Sequence, residues 1–348
     1  MKILYLGCHE ILEYDEVKLF TEMGHEVFSL GGVYQNSNVG ILRGSIPNLY
    51  DNPHLRAVAL QCNKENIHQE LIDWMDVCVM SHNARVDVND HPQPWLKGNW
   101  DKFKKSKKPI IWRGIGQSSA QIEEALLEFR KDGLKIVRHS PTDATIPHFA
   151  GSDALIRFYK DPEEYNDYNG QTPRVVNLSQ ALFGSDTVNS RGDHMCLPFF
   201  KQVVDGFDWK VFGPDNENAG EHNGGTLSFE DLKQMLRFNR VFFYVGTRPA
   251  NYTLGLVEAM MTGVPVVSIG PEHGNEIYTD QKTFEAHELL GDAGYWSDSF
   301  TQLRKYLADL LNNQSLALEM GARGRARAIE LFSKETVRKD WGSFFNTL

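Results

Sequence analysis

Short apolar runs alternate with helical patterns that end in glycine, and this alternation constrains the fold most. Residues 2–6 form an apolar run that ends at Gly7, and the helical pattern of residues 11–23 stops at Gly24. A second apolar run, 26–30, follows at once. Strand, helix, glycine and strand in this order are typical of a doubly wound parallel sheet. Further strands are predicted at 76–80, 109–112 and 134–137.

A second cycle of strands and helices begins after the polar stretch 161–170, which is the best linker candidate. Strands are predicted at 174–178, 209–212, 240–245 and 264–269, with helices at 195–204, 229–238 and 252–261 between them. We therefore predict an α/β chain of two Rossmann-like, doubly wound domains facing a cleft. The expected domains are 1–168 and 172–330, followed by a C-terminal helix, 331–348, that crosses back to the first domain.

Composition excludes several classes of protein. The chain has 348 residues, of which 41% are hydrophobic and 24% charged, as in folded globular proteins. No apolar run approaches the roughly 20 residues of a membrane span. The apolar run near the N-terminus is too short for the hydrophobic region of a secretory signal. Four cysteines without a CxxC pair favour the cytoplasm over a disulfide framework. The net charge of −10 argues against a general nucleic-acid coat.

Residues 246–270 carry the most specific signal. Thr253 is suited to cap a helix start, and Gly263 with Pro265 gives the stop signal. The first turn would leave the N–H groups of Leu254, Gly255 and Leu256 without intrahelical partners, and glycine lets a ligand approach the backbone. A free helix N-terminus of this kind is suited to a diphosphate.

Glu258 lies one turn further along the same helix face as Leu254. At that distance a carboxylate is expected to accept hydrogen bonds from ribose hydroxyls. The alternative is a solvated glutamate that is favoured near a helix start by its charge.

This segment resembles the donor domain of GT-B glycosyltransferases, in particular the retaining family 4. The sequence YTLGLVEAMMTGVPVV at 252–267 is similar to the family's FGLVLLEAMACGTPVV, and Glu258 falls at the second Glu of its paired-glutamate motif. Residues 274–277 resemble the family's GGxPEIV turn, and 331–341 its closing FSWxxxxxxW helix. The resemblance implies a glycosyltransferase, hexosyl or pentosyl, that retains anomeric configuration and uses a nucleotide sugar, UDP- or GDP-linked, with no further cofactor.

By this resemblance the donor would contact Tyr252, Thr253, Leu254, Gly255 and Glu258. The family's first Glu would fall at position 250, which is Ala250. Its diphosphate-binding Gly-Arg and Lys-Gly pairs are replaced by positions that include Gln180 and Arg191, and Arg248 is a further cation. Ala250 leaves open a non-catalytic nucleotide-sugar-binding protein, and the shared fold leaves open a sugar-nucleotide epimerase.

The N-terminal half is expected to hold the acceptor. Gly7 and His9 follow the first strand, at the edge of the cleft. His82 follows the strand at 76–80, and Arg113 and Gln117 follow the next strand, so these three are the catalytic candidates by position. For the histidines, a structural hydrogen-bonding role is the alternative.

Metal binding is not expected, because the histidines show no HxH or HExxH spacing and no two Asp are separated by a single residue. A run of cations at Lys102, Lys104, Lys105, Lys107 and Lys108 predicts either a solvated surface or docking of a polyanionic acceptor, DNA or an anionic membrane. Trp95 and Trp100 beside it could insert into a membrane, stack on bases or belong to the core. The expected location is the cytoplasm, with possible peripheral membrane contact.

Overall fold

A computed structural model describes residues 1–7, 9–30, 46, 50–62, 66–82, 94–116, 118–184, 192–276 and 280–348. Of His82, Pro94, Trp95 and Asp193 it describes the backbone alone. The chain divides into two compact units. The first consists of Met1–Tyr159 with Val337–Leu348, and the second is Lys160–Thr336.

The first unit is built on a six-stranded parallel sheet in the order β2-β1-β3-β4-β5-β6. Its strands are β1 (Lys2–Leu6), β2 (Glu26–Ser29), β3 (Val77–His82), β4 (Ile110–Gly114), β5 (Lys135–Arg138) and β6 (Ala154–Leu155). Its helices are α1 (Glu10–Glu22), α2 (Pro53–Ala59), α3 (Gln69–Trp74), α4 (Pro94–Ser106) and α5 (Ala120–Lys131), with a 3₁₀ turn at Pro141–Thr145.

Both faces of this sheet are buried. Leu4 and Leu6 of β1 belong to one apolar cluster, whereas Ile3 and Tyr5 belong to a second cluster on the opposite face. Successive side chains of a strand point to opposite faces, so a strand that is apolar at every position needs helices on both sides. The continuous apolar run of residues 3–6 is therefore the sequence signature of this doubly covered sheet.

Helix α13 (Lys334–Phe345) completes the first unit after the chain has formed the second. Val337, Trp341, Phe344 and Phe345 are buried in the cluster that also holds Phe20 and Ile3. The apolar residues recur along one stripe of the helix, which is why this helix packs on a core made by the beginning of the chain.

The second unit has a five-stranded parallel sheet in the order β11-β10-β9-β7-β8. Its strands are β7 (Thr172–Leu178), β8 (Trp209–Phe212), β9 (Asn239–Tyr244), β10 (Val266–Ile269) and β11 (Tyr295–Ser297). Its helices are α6 (Leu197–Val204), α7 (Phe229–Phe238), α8 (Leu254–Thr262), α9 (Pro271–Gly274), α10 (Ala286–Leu290), α11 (Phe300–Asn312) and α12 (Gln314–Phe332), with 3₁₀ turns at Asp193–Met195 and Glu217–His222.

The boundary between the units lies earlier than the sequence predicts. The second unit begins at Lys160, whereas the pattern of polar residues places the first domain up to residue 168. The segment 160–168 is polar, but it is hydrogen-bonded to the second unit: the N–H of Lys160 donates to the carbonyl of Phe332 at 2.9 Å, and the hydroxyl of Tyr168 donates to that of Arg240 at 2.8 Å. These contacts join residues that are far apart in sequence, so composition alone does not show them.

The predicted fold class is confirmed, with two parallel sheets that each carry helices. In the part of the chain that the structure describes, every helix is too short or too polar to cross a bilayer.

Candidate functional site

The order of strands in the second unit marks one edge of its sheet. The chain passes from β7 to β8 on one side and then returns to place β9 on the other side of β7. Ligands of open α/β sheets bind beyond the carboxyl ends of the strands at such a reversal. The loops that follow Leu178 of β7 and Tyr244 of β9 are therefore the place to look for a site.

Helix α8 begins at this point. Thr253 is its N-cap residue, as predicted, although its side chain does not make a capping hydrogen bond. None of the described residues accepts a hydrogen bond from the N–H groups of Leu254 and Gly255, whereas the predicted third group, the N–H of Leu256, donates to the carbonyl of Thr253 at 3.2 Å. Two unpaired donors and the positive end of the helix dipole remain for an anion.

Gly255 lies against the end of β7. A Cβ atom added at this glycine would lie 3.4 Å from Cβ of Leu178, the last residue of that strand. The side of the first turn that carries Gly255 thus faces the strand reversal, and the helix ends at Gly263, whose φ of 94° is the left-handed conformation typical of a glycine C-cap.

Two tyrosines support the loop that leads into α8. The hydroxyl of Tyr244 accepts a hydrogen bond from the N–H of Thr253 at 3.0 Å, and burial raises the pKa of Tyr244. The buried ring of Tyr252 lies 5.6 Å from the ring of Phe332, measured between centroids. Tyr252 therefore contributes packing beneath the loop.

Glu258 is buried, which differs from the solvated alternative. Its Oε1 atom lies 2.9 Å from Nζ of Lys160 and accepts a hydrogen bond of 2.9 Å from the hydroxyl of Tyr165. The ion pair is desolvated on both sides, since the side chains of Lys160 and Glu258 are 1% and 5% exposed. Charge placed in a protein interior persists only where it is paired and hydrogen-bonded, and here it is both.

Arg248 is buried below the loop after β9. Its Nη1 atom donates to Sγ of Cys196 at 2.9 Å and to the carbonyl of His273 at 2.9 Å. Burial raises the pKa of the Cys196 thiol, and the neighbouring guanidinium partly offsets this. Arg248 thus joins the start of α6 to the turn at α9.

The described residues include one group with the ligand types of a metal site. Sγ of Cys196, a ring nitrogen of His273 and a carboxylate oxygen of Glu276 lie within 4.8 Å of one another. Since Nη1 of Arg248 contacts the same sulfur, a positive charge already stands beside these atoms and disfavours a cation. Metal-independent catalysis stays a prediction.

Of the other two predicted donor contacts, the structure describes Gln180 but not Arg191. Gln180 is exposed directly after β7, and its Nε2 atom donates to Oδ2 of Asp215 at 3.1 Å. Arg191 lies outside the described residues. Of the proposed diphosphate ligands, Gln180 and the start of α8 thus share the carboxyl edge of β7 and β9.

In the first unit, Gly7 and His9 occupy the turn between β1 and α1. A Cβ atom at Gly7 would lie 2.7 Å from Cδ of Glu13, so the glycine lets the buried carboxylate of Glu13 approach the chain. His9 is the N-cap residue of α1, and its Nδ1 atom accepts a hydrogen bond from the N–H of Leu12 at 3.4 Å. His9 therefore has the structural role that was its alternative interpretation.

Arg113, a catalytic candidate by its position at the end of a predicted strand, is a core residue. The side chain is fully buried, with Nε donating to Oε1 of Glu16 at 2.8 Å and Nη1 to the carbonyl of Ile156 at 2.6 Å. Its guanidinium carbon lies 5.5 Å from the ring centroid of Trp341. Arg113 shares the strand face of Ile111, so the period of two turns it toward α1 and α13 and away from solvent.

The two remaining catalytic candidates have no described side chain. His82 is the last residue of β3, at the carboxyl edge of the first sheet, and Gln117 lies outside the described residues.

The run of lysines lies at the opposite edge of the first sheet. It occupies the end of α4 and the residues just before Ile110, where β4 begins, so it stands at the amino ends of the strands. Lys102 and Lys108 donate to backbone carbonyls at Ile67 and Ile72, each at 2.8 Å. Lys104 pairs with Asp132, and the hydrogen bond from Trp100, followed by the one from Lys104, lowers the pKa of that carboxyl. No described residue pairs with Lys105 or Lys107.

Trp100, next to these lysines, belongs to the core. It is buried and donates through Nε1 to Oδ2 of Asp132 at 3.1 Å. The side chain of Trp95 lies outside the described part of the chain. Of the three interpretations of Trp100, the core position is correct.

Lys160 and Tyr165 contact Glu258, and neither is among the site residues that the sequence predicts. Tyr165 lies in the predicted linker 161–170 and Lys160 directly precedes it, and the polar composition of this stretch does not show that both side chains are buried. The only signal is that Lys160 directly follows a segment in which Ile156, Phe158 and Tyr159 are apolar and buried.

The sequence matches no protein-family model and no curated protein. Solved structures do resemble it along its length. They include Anabaena Alr3699/HepE in complex with UDP, with 15% sequence identity, 100% of both chains covered and a TM-score of 0.68. A glycosyltransferase from Rickettsia africae ESF-5 has 13% identity over 99% of this chain and 98% of that one, with a TM-score of 0.67. An alpha-glucosyltransferase in complex with UDP and a 13-mer DNA has 10% identity over 99% of both chains and a TM-score of 0.62. At these identities the likeness shows the fold, and the chain has the GT-B fold of such glycosyltransferases.

Proposed function

We propose that this protein is a glycosyltransferase that uses a nucleotide sugar. The observation that carries the proposal is the start of α8 at the strand reversal. There, no described residue accepts a hydrogen bond from the N–H groups of Leu254 and Gly255, and the carboxylate of Glu258 lies one turn further. A diphosphate fits the helix start, and a ribose fits a carboxylate at that spacing. Among proteins of this fold, HepE has been solved with UDP and with UDP-glucose.

In this proposal the protein acts on the leaving group. Departure of a nucleoside diphosphate develops negative charge on its phosphate oxygens, and preorganised N–H donors stabilise that charge without rearranging. The helix start supplies two such donors and its dipole, so we propose metal-independent transfer with UDP or GDP as leaving group. Retention of anomeric configuration is proposed from the resemblance to family 4.

Binding of the donor is tested by calorimetry on the full chain with UDP, GDP, ADP and dTDP, followed by their glucose conjugates. We expect one nucleoside diphosphate to bind clearly more tightly than the others. Glu258→Gln is the informative variant, because it keeps an oxygen that can accept a hydrogen bond from the buried ammonium of Lys160, whereas Glu258→Ala removes this acceptor altogether. Loss of affinity by about tenfold in a folded Glu258→Gln protein supports the ribose contact. Equal affinity for all four nucleoside diphosphates contradicts the proposal, and so does the absence of binding to any of them.

A non-catalytic nucleotide-sugar-binding protein is the second candidate, and Ala250 favours it. This residue is buried and stands where the resemblance places a carboxylate that contacts the transferred sugar. Incubation with the bound nucleotide sugar distinguishes the two: release of free sugar or transfer indicates an enzyme, whereas an unchanged donor at saturating protein indicates a binding protein. Conversion to an isomeric nucleotide sugar without an acceptor would indicate the epimerase.

For the acceptor we propose a polyanion, either DNA or an anionic lipid, held by the exposed Lys105 and Lys107. The solved alpha-glucosyltransferase that resembles this chain binds DNA. Since these lysines lie at the amino ends of the strands, their role is to tether the polyanion at a distance from the reacting groups. Such a reaction fits the cytoplasm, where unpaired cysteines such as Cys62, Cys78 and Cys196 stay reduced.

A further inference from the structure

The segment 160–168 is fastened to α8 and α12 by its backbone. Lys160 donates its N–H to the carbonyl of Phe332 at 2.9 Å. The guanidinium of Arg325 on α12 donates to the carbonyls of Tyr165, Met261 and Pro162, the last at 2.7 Å. These bonds hold the segment in place without using the ammonium of Lys160 or the hydroxyl of Tyr165.

Those two side-chain groups converge on a single oxygen. Nζ of Lys160 and the hydroxyl of Tyr165 each lie 2.9 Å from Oε1 of Glu258, and Nζ stands 5.7 Å from the centroid of the Tyr165 ring. Two donors from a fixed segment stabilise the charge of this carboxylate and restrict where its Oε1 atom can lie. Tyr165 is itself buried and its ring packs edge-on against Phe229 at 5.9 Å, so its hydroxyl has little freedom to move.

We propose that Lys160 and Tyr165 are positioning residues that orient the Glu258 carboxylate toward the ribose and thereby make the site specific for ribonucleotides. This inference rests on the proposed function, since it assigns a ribose to Glu258. A site that hydrogen-bonds a substrate hydroxyl discriminates against the analogue that lacks it, because a buried polar group is then left unpaired. The discrimination depends on the orientation of the carboxylate, and hence on the two residues that fix it.

The test compares UDP with 2′-deoxy-UDP, and GDP with 2′-deoxy-GDP, by calorimetry. For the nucleotide that the wild type prefers, we expect the ribonucleotide to bind about tenfold more tightly than its 2′-deoxy form. Tyr165→Phe keeps the ring and its packing but removes one donor, and we expect it to reduce this ratio at least threefold. Lys160→Met combined with Glu258→Gln removes both charges together, so no unpaired buried charge remains, and the ratio should approach one.

Tyr168→Phe is the matched control. It removes a hydroxyl from the same segment, but that hydroxyl donates to the carbonyl of Arg240 at 2.8 Å and not to Glu258. The ratio should therefore stay at the wild-type value, whereas a general loosening of the segment would alter both tyrosine variants alike.

The outcomes separate this inference from the proposed function. A wild-type protein that binds none of the nucleotides overturns both. A wild type that binds but does not distinguish the ribose from its 2′-deoxy form overturns the role of Glu258 at the ribose and with it the inference. A wild type that discriminates, with an unchanged ratio in folded Tyr165→Phe, leaves the proposed function intact and overturns the role of the positioning residues.

Discussion

The indole of Trp341 meets the ring of Phe20 edge-on, with 4.9 Å between centroids and an interplanar angle of 90°. Trp341 lies on the last helix of the chain and Phe20 on the first, and both are fully buried in one cluster. Edge-to-face pairs of this kind add to the free energy of burial. The end of the chain is therefore part of the core of the first unit.

Trp341→Ala should lower the stability of the first unit strongly. Truncation of a buried tryptophan costs about 3–5 kcal/mol through lost burial and the cavity that remains. Trp296→Ala is the matched control, because Trp296 is 40% exposed. Thermal unfolding followed by fluorescence or calorimetry checks the difference. Equal melting temperatures for the two variants would show that α13 does not stabilise the core.

Gly255→Ala should weaken binding of the nucleoside diphosphate while the fold persists. The added Cβ would contact Leu178 at an ordinary 3.4 Å, and alanine favours a helix over glycine by about 0.5–1 kcal/mol. The methyl group occupies space where the diphosphate would approach the backbone, and we expect an affinity loss of roughly threefold to tenfold. Gly324→Ala, also within a helix, has its closest contact at 3.4 Å to the carbonyl of Ala293 and serves as control. Unchanged affinity in Gly255→Ala would remove the helix start from the site.

Reversing the charges of Lys105 and Lys107 should affect polyanion binding and nothing else. Both side chains are exposed and unpaired among the described residues, so the double variant to Glu should change stability by no more than about 0.5 kcal/mol. Binding to duplex DNA or to vesicles of anionic lipid should weaken, with a smaller dependence on salt, because fewer counterions are released. Nucleotide affinity should stay constant. Binding that is insensitive to both salt and the double variant would indicate a solvated surface.

Lys108→Met provides the contrast to that experiment. Its Nζ atom donates to the carbonyls of Ile72 at 2.8 Å and Asp73 at 2.6 Å, at the end of α3. Loss of these bonds leaves two carbonyls at a helix end to be satisfied by solvent, so this variant should lower the melting temperature. A melting temperature equal to that of the wild type would contradict the structural role of Lys108.

The first unit should lose stability as the pH falls below about 6.5, the usual pKa of histidine. Burial lowers the pKa of His25, whose ring packs edge-on against Phe345 at 5.5 Å. The unfolded chain therefore binds a proton at His25 more readily than the folded chain does. The stability that His25 contributes is present above its pKa in the unfolded chain, and it is lost as the pH falls through its lower pKa in the folded chain. His25→Gln should reduce this pH dependence, measured by denaturant unfolding between pH 5 and 8. An identical slope in the variant would assign the effect to other groups.

Local patterns in the sequence determined the strands β1–β5 and β7–β10 and the start of α8, but not the edge strands β6 and β11. Apolar runs define strands because the strand period is two, and Thr253 and Gly263 define a helix because capping depends on residues within one turn. Once the helix start is known, the positions of Gly255 in its first turn and of Glu258 one turn further follow from the sequence. These features needed no knowledge of distant contacts.

The tertiary structure alone decided which charged residues are paired. Arg113 lies 97 positions from Glu16, and Tyr165 lies 93 positions from Glu258, so neither partner is visible in a local pattern. Arg113 lies near the carboxyl end of the buried strand β4, as a site residue does, but the face that it occupies is covered by helices from both ends of the chain. Lys160 belongs to a polar stretch, yet it turns inward because a buried carboxylate needs a cation. Pairing across such separations depends on the order of the strands and on helix packing, which bring distant segments together.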